Sequence, residues 1–120
     1  MTENLILATD AYKLTHHLQY PTDITKLYSY GEARVGGRFD TVSWFGLSMI
    51  LHDYFRQPIT DEMIDEAERV AKQTFNTTAY FNRDVWEKVK TLGYFPVKIK
   101  ALPEGMTVPV GNALFRSEEH

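Results

Sequence analysis

The segment from Ala8 to Pro21 most strongly constrains the fold, because residues that start and stop a helix enclose it. Thr9 or Asp10 can cap a helix at its start, since a short side-chain oxygen accepts a free backbone N–H of the first turn. Pro21 ends the helix, because the residue before a proline avoids the helical conformation. The spacing of the side chains predicts one apolar, buried stripe and one stripe with polar tips. These stripes are Ala11, Leu14 and Leu18, and Tyr12, His16 and Tyr20.

The composition is that of an ordinary globular chain and excludes several classes of protein. Its 120 residues suffice for one small domain, and 43% of them are hydrophobic. The formal net charge of -3 gives no electrostatic footprint for nucleic acid, and the absence of cysteine excludes disulfides and thiolate metal sites. No apolar run approaches the roughly 20 residues that span a bilayer, and the N-terminus has no secretory signal pattern. We therefore expect a cytoplasmic protein that binds neither nucleic acid nor membrane.

The pattern of the remaining residues predicts helices in the middle of the chain and short strands on either side. Strands are predicted at Lys26–Arg34, at residues 97–102, at Met106–Val110 and at Ala113–Arg116. Helices are predicted at Ser43–Phe55, after the cap Thr60, and between the cap Asn82 and the terminating Gly93. Gly36-Gly37-Arg38 is predicted to be a hairpin or loop. We therefore predict an α+β fold in a single domain over residues 1–120, with a small sheet of short hairpins covered by about four helices.

Several motifs in a fixed order closely resemble the opening of nicotinamide phosphoribosyltransferases. The first lies in the capped segment and reads Ala8-Thr9-Asp10, Tyr12-Lys13 and Thr15-His16, followed by Gln19-Tyr20-Pro21. The others are Lys26-Leu27-Tyr28-Ser29-Tyr30, Glu32-x-Arg34, Phe45-Gly46-Leu47, Ile99-Lys100-Ala101-Leu102-Pro103-Glu104-Gly105 and Pro109-x-Gly111-Asn112. Together they cover nearly the whole chain, which makes the resemblance far more specific than one motif alone. It implies an N-terminal sheet-and-helix domain whose short hairpins look like a hammerhead.

The resemblance also implies three substrate-binding residues near a dimer interface. Tyr12 matches a tyrosine that stacks on the nicotinamide ring, and Asp10 matches an aspartate near the carboxamide of that ring. Arg34 matches an arginine directed at phosphates, where its planar fork can hold two oxygens. Each position also has a structural explanation: Asp10 as a helix cap, Tyr12 as an interface aromatic and Arg34 as the end of a strand. The loop that follows, Val35–Asp40, is shorter than in the relatives.

The residues by themselves show no catalytic constellation and no metal site. His16 and His17 are adjacent and therefore point in different directions, and the chain contains neither a Gly-x-Ser-x-Gly elbow nor a Walker loop. The resemblance implies the reaction of nicotinamide with phosphoribosyl pyrophosphate, which gives nicotinamide mononucleotide and pyrophosphate in NAD salvage. In that family the leaving phosphates are held by magnesium and cationic side chains, mostly on a large α/β barrel. A barrel of roughly 250 residues cannot fit in this chain, so we expect no catalytic residue and no cofactor here.

Two hypotheses from different classes follow. The first is an N-terminal domain of a nicotinamide phosphoribosyltransferase that contacts substrate, forms dimers and is inactive by itself. The second is a stand-alone, non-catalytic interaction or regulatory module that pairs with a separate barrel chain or with itself. A nicotinate-using relative is a third reading, which an amide-binding role of Asp10 disfavours.

Either hypothesis predicts that the chain associates with a second copy of itself or with a barrel domain. The predicted ligands are nicotinamide and phosphoribosyl pyrophosphate, which would bind in a site shared with that partner. On this reading the chain is a fragment, a truncated product or a stand-alone homologue of the first domain. The chain has more apolar side chains than a domain of this size easily buries, which predicts an exposed apolar surface. The candidates for that surface are Trp44, Phe45, Tyr80, Phe81, Tyr94 and Phe95.

Overall fold

The computed structural model describes residues 3–120, which form two compact units. The first unit comprises the chain up to Asp23 together with Tyr54–Phe95, and the second comprises Ile24–Asp53 together with Pro96–His120. Helices and small antiparallel sheets make up the structure, so the α+β prediction is confirmed. Among the described residues, no helix has the length and apolar character needed to cross a bilayer.

The elements follow one another with short connections. The helical elements are a 3-10 turn at Leu5–Leu7, a 3-10 helix at Ala11–Gln19, α1 at Leu47–Ile50, a π-helical turn at Leu51–Phe55, α2 at Asp61–Phe75 and α3 at Arg83–Leu92. The strands are β1 at Leu27–Glu32, β2 at Thr41–Ser43, β3 at Val97–Ala101, β4 at Thr107–Pro109 and β5 at Ala113–Glu119.

The capping residues predicted for α2 and α3 are confirmed, and these helices carry the core of the first unit. Thr60 accepts the Met63 N–H at 3.3 Å, and Asn82 accepts the Val85 N–H at 3.4 Å. The buried cluster is Ile6, Ile59, Ile64, Ala67, Ala71, Phe81 and Val89. The sequence periodicity predicts a buried side of α2 at Ile64, Ala67, Ala71 and Phe75, and all of these are buried except Phe75, which is partly buried. The same periodicity aligns Val85, Val89 and Leu92 on α3, but only Val89 is buried and the other two are exposed.

Ion pairs join α2 to α3 on the side that the sequence predicts to be solvated. Arg83 donates to Asp65 at 2.7 Å and to Glu68 at 2.8 Å, and these bonds raise its pKa. Lys90 lies 2.5 Å from Asp61 and 2.6 Å from Glu87. The hydrogen bond from Lys90 lowers the pKa of Asp61, and the same bond raises the pKa of Lys90.

The capped segment Ala11–Gln19 is a 3-10 helix, so the predicted buried stripe is wrong. A 3-10 helix has three residues per turn, so the predicted stripe, with its spacing of i, i+3 and i+7, does not stay on one buried face. Only Leu14 of the apolar stripe packs against the core, whereas Ala11 and Leu18 are exposed. The Thr15 hydroxyl donates to the Tyr12 carbonyl at 2.7 Å, which is a side-chain bond at the 3-10 spacing.

The strands of the second unit form two separate antiparallel sheets. In the larger sheet β5 lies between β1 and β3, and in the smaller sheet β2 pairs with β4. Strand β5 continues to Glu119, beyond the predicted end at Arg116. The glycine-rich loop after β1 joins β1 to β2, which lie in different sheets, so it is a loop and not a hairpin.

The buried helix predicted at Ser43–Phe55 is confirmed as helical only from Leu47 to Phe55, and its start and its burial are wrong. Ser43 ends strand β2, and the next residue, Trp44, donates its N–H to the Met106 carbonyl at 2.8 Å. Helical structure begins only at Leu47, and no residue from there to Phe55 is buried. The pairing of β2 with β4 outweighs the helical periodicity here, because backbone bonds to a distant strand are not visible in local spacing.

Candidate functional site

Asp10 lies at the start of the 3-10 helix in the first unit, and its exposed carboxylate forms no ion pair within residues 3–120. It occupies the N-cap position, but its side chain accepts no capping hydrogen bond. Its backbone carbonyl accepts the Lys13 N–H at 3.0 Å, which holds the first turn in place. The first turn therefore forms without a side-chain cap, so helix capping does not account for this carboxylate.

Tyr12 follows Asp10 by two residues and presents an aromatic face outward. Its side chain is 58% exposed, and its ring centroid lies 5.5 Å from that of His16 at an interplanar angle of 51°. The two rings belong to the stripe with polar tips that the sequence predicts, and this contact restrains the Tyr12 ring on one side. The arrangement can therefore receive a flat ligand on the outer face of Tyr12.

Arg34 belongs to the second unit, in the loop after β1, and the backbone is held at the preceding residue, Ala33. The Gly111 N–H donates to the Ala33 carbonyl at 2.9 Å, and Val35 Cγ1 would lie 3.5 Å from a Cβ on Gly111. Gly111 has a φ of 80°, a conformation that suits glycine. Two motifs far apart in the sequence thus meet, and the Gly111-Asn112 turn supports the segment that carries Arg34.

The guanidinium of Arg34 is exposed, and in the described part of the chain it forms no ion pair. Its planar fork is therefore free for an anionic ligand. A structural arginine of the kind seen at Arg83 would instead be paired with carboxylates. The contrast between the two arginines favours a ligand-binding role for Arg34.

Metal-ligating side chains do not cluster within residues 3–120. No group of three or more histidines, aspartates or glutamates lies close enough to hold an ion. His52 and Asp53 are hydrogen-bonded at 2.9 Å, but they are neighbours in sequence and have no third ligand.

A second cationic arrangement was missed by the sequence reasoning. Arg116 on β5 donates to the Tyr28 hydroxyl at 2.9 Å, and its guanidinium carbon lies 5.8 Å from the centroid of the Tyr28 ring. The alternating tyrosines of β1 mark this face in the sequence. Their partners on β3 and β5 are visible only once the strand pairing is known.

Comparison with known proteins decides the family. The sequence model of the family described as nicotinamide phosphoribosyltransferase, N-terminal domain, matches residues 4–99. The chain belongs to this family. The match contains Asp10, Tyr12 and Arg34, together with helices α2 and α3.

Two curated members of the family agree with this result. Nicotinamide phosphoribosyltransferase of Xanthomonas campestris pv. campestris (strain 8004) is 37% identical over 119 residues, which are 97% of this chain and 24% of that protein. Nicotinamide phosphoribosyltransferase of Mycoplasma pneumoniae (strain ATCC 29342 / M129 / Subtype 1) is 55% identical over 40 residues, 32% of this chain and 9% of that protein. The chain thus spans about a quarter of the length of the Xanthomonas relative.

Proposed function

We propose that the chain is the substrate-contacting and dimerising N-terminal domain of a nicotinamide phosphoribosyltransferase, and that it is inactive by itself. The family match over residues 4–99 carries this proposal. The complete reaction joins the ring nitrogen of nicotinamide to the ribose carbon of phosphoribosyl pyrophosphate, and the bond from that carbon to pyrophosphate breaks. The groups that stabilise the departing pyrophosphate belong to a barrel that these 120 residues do not contain.

Tyr12 and Asp10 bind the nicotinamide ring in this proposal. The exposed face of Tyr12 stacks on the ring, and its contact with His16 supports this role because a restrained aromatic loses little freedom on binding. The uncapped carboxylate of Asp10 accepts a hydrogen bond from the carboxamide N–H₂. The same carboxylate repels the carboxylate of nicotinate, which makes Asp10 a determinant of specificity.

Arg34 binds phosphate oxygens of phosphoribosyl pyrophosphate. Its exposed, unpaired guanidinium and the backbone anchored at Ala33 support this role. The chain contributes binding and orientation, and the chemistry of the leaving group lies with the barrel.

An activity assay tests the proposal. The purified chain is incubated with nicotinamide, phosphoribosyl pyrophosphate and magnesium, and nicotinamide mononucleotide is measured by chromatography. We expect no product above a blank without protein, whereas a full-length relative in the same buffer forms it. Turnover by the 120-residue chain alone would contradict the proposed inactivity.

A further inference from the structure

Tyr30, Arg116 and Lys100 form one row across the larger sheet of the second unit. Arg116 on β5 is the direct partner of Tyr30 on β1 and of Lys100 on β3. Direct partners in antiparallel strands project from the same face, with Cβ atoms about 4.5–5.5 Å apart. The row therefore places an aromatic ring, a guanidinium and an ammonium side by side.

The two cations of this row are not neutralised. Like charges directly opposite each other destabilise a strand pair, and among residues 3–120 neither Arg116 nor Lys100 has an ion pair. The next row along the sheet differs, because Glu118 lies opposite Lys98 and 3.7 Å from Lys26. These two cations lack carboxylate partners even though the chain as a whole has a formal net charge of -3, and this arrangement favours binding of an anion.

Arg116 is oriented before any ligand arrives. Its Nη1 donates to the Tyr28 hydroxyl at 2.9 Å, and the guanidinium lies near the Tyr28 ring. A guanidinium has five N–H donors, so one bond leaves the others available. Because Tyr28 is neutral, its hydrogen bond orients the guanidinium of Arg116 without neutralising the positive charge, which stays available for a ligand.

A groove runs beside the two cations. Its volume is about 190 Å³, and it is lined by Lys100, Ala101, Leu102, Ala113, Leu114, Phe115 and Arg116. Leu114 is buried, so the floor of the groove is apolar. Charges next to apolar surface are screened less by water, which strengthens their attraction for an anion.

We propose that Arg116 and Lys100 bind the phosphate group of a small phosphorylated molecule, with the exposed ring of Tyr30 beside it. Phosphate fits better than carboxylate, because the guanidinium fork uses two oxygens and a phosphate keeps a third for the Lys100 ammonium. A phosphate also carries up to two negative charges against the two cations. This inference goes beyond the proposed function and uses none of Asp10, Tyr12 and Arg34.

Titration of the 120-residue chain followed by amide NMR tests this site. Inorganic phosphate and phenyl phosphate are the probes, and sodium chloride at matched ionic strength is the control. We expect saturable shifts confined to β3, β5 and β1 near the row. Tighter binding of phenyl phosphate would identify an ester with a flat ring as the ligand, and equal binding would identify free phosphate.

Variants separate this site from general charge attraction. Lys100→Ala and Arg116→Lys should each weaken phosphate binding at least tenfold, whereas the matched control Lys98→Ala should change it less than twofold. Lys100→Ala should also raise the melting temperature in phosphate-free, low-salt buffer, since it removes the like-charge pair. Equal loss in all three variants, loss only in Arg34→Ala, or shifts that do not saturate would overturn the proposal.

Discussion

Phe115 lies directly across Gly31, and a Cβ on Gly31 would be 2.3 Å from Phe115 Cε1. The two residues are partners between β1 and β5, at the point where the register shifts by a bulge. On its other side the Phe115 ring stacks on Trp44, with centroids 5.7 Å apart and an angle of 23° between the planes. The missing side chain of Gly31 therefore makes room for the ring that joins the larger sheet to the end of β2.

Gly31→Ala should destabilise the chain, because the added methyl group displaces the Phe115 ring from its place against Trp44. Overpacking of this kind typically costs about 1–3 kcal/mol. The measurement is the free energy of unfolding in urea. Gly37→Ala is the matched control, since no atom lies within 4 Å of a Cβ at that glycine. Equal stability of the two variants would contradict the close contact.

Asp61 should contribute to stability at neutral pH and lose that contribution in acid. The hydrogen bond from Lys90 lowers the pKa of Asp61 in the folded state below that of a free aspartate. A carboxyl group with a lowered folded pKa stabilises the fold above its unfolded pKa, and the effect disappears as the pH falls through the folded pKa. Asp61→Asn should therefore destabilise the chain at pH 7 and flatten the decline in melting temperature below pH 4.

Glu62→Gln is the control for this experiment. Glu62 lies in the same first turn of α2 and interacts with the same helix dipole, but it forms no ion pair among residues 3–120. An effect of similar size from Glu62→Gln would assign the acid sensitivity to the helix end rather than to the Lys90 pair.

Local signals in the sequence were sufficient for α2, α3 and the strands of the last third. Thr60, Asn82 and Gly93 act within a few residues of where they stand, so their patterns can be interpreted without the fold. The error at Ser43 has a different origin, because that residue is held by Thr107 on a strand far along the chain. Long-range pairing of this kind leaves no local periodicity.

The residues of the candidate site also fall into two groups, those that the sequence indicated and those that only the structure revealed. Asp10, Tyr12 and Arg34 came from the resemblance to a family, and neither composition nor spacing alone would have selected them. The support of Arg34 by Gly111 and the row that contains Arg116 depend on strand pairing, so they needed the structure.

Tyr12→Ala should leave folding nearly unchanged, because the ring is exposed and contacts only His16 among the aromatic side chains of residues 3–120. Leu14→Ala, on the same helix, removes a side chain that packs on the core and should lower the melting temperature clearly. In a full-length relative, the change of the matching tyrosine to alanine should raise the KM for nicotinamide, since the stacking face is lost. A loss on the order of 3 kcal/mol from Tyr12→Ala, as for a buried aromatic, would mean that the residue is structural.

The last prediction concerns association through apolar side chains. Phe45 in the second unit is 79% exposed and Tyr94 in the first unit is 62% exposed, as the sequence predicts. The prediction is wrong for Phe81, which is buried in the core, and for Trp44 and Phe95, which are partly buried. Exposed aromatics of this kind are typical of surfaces that meet a partner. We therefore expect the chain to form a dimer or a higher oligomer in solution.

Light scattering coupled to size exclusion measures this association over a range of concentrations. Phe45→Ser and Tyr94→Ser should each shift the population toward monomer, because the change removes apolar area that association would bury. Phe39→Ser is the matched control, since Phe39 is 71% exposed but lies outside the predicted surface. A chain that stays monomeric at the highest concentration would refute the association, and an equal effect of Phe39→Ser would show that the contact is not confined to the predicted surface.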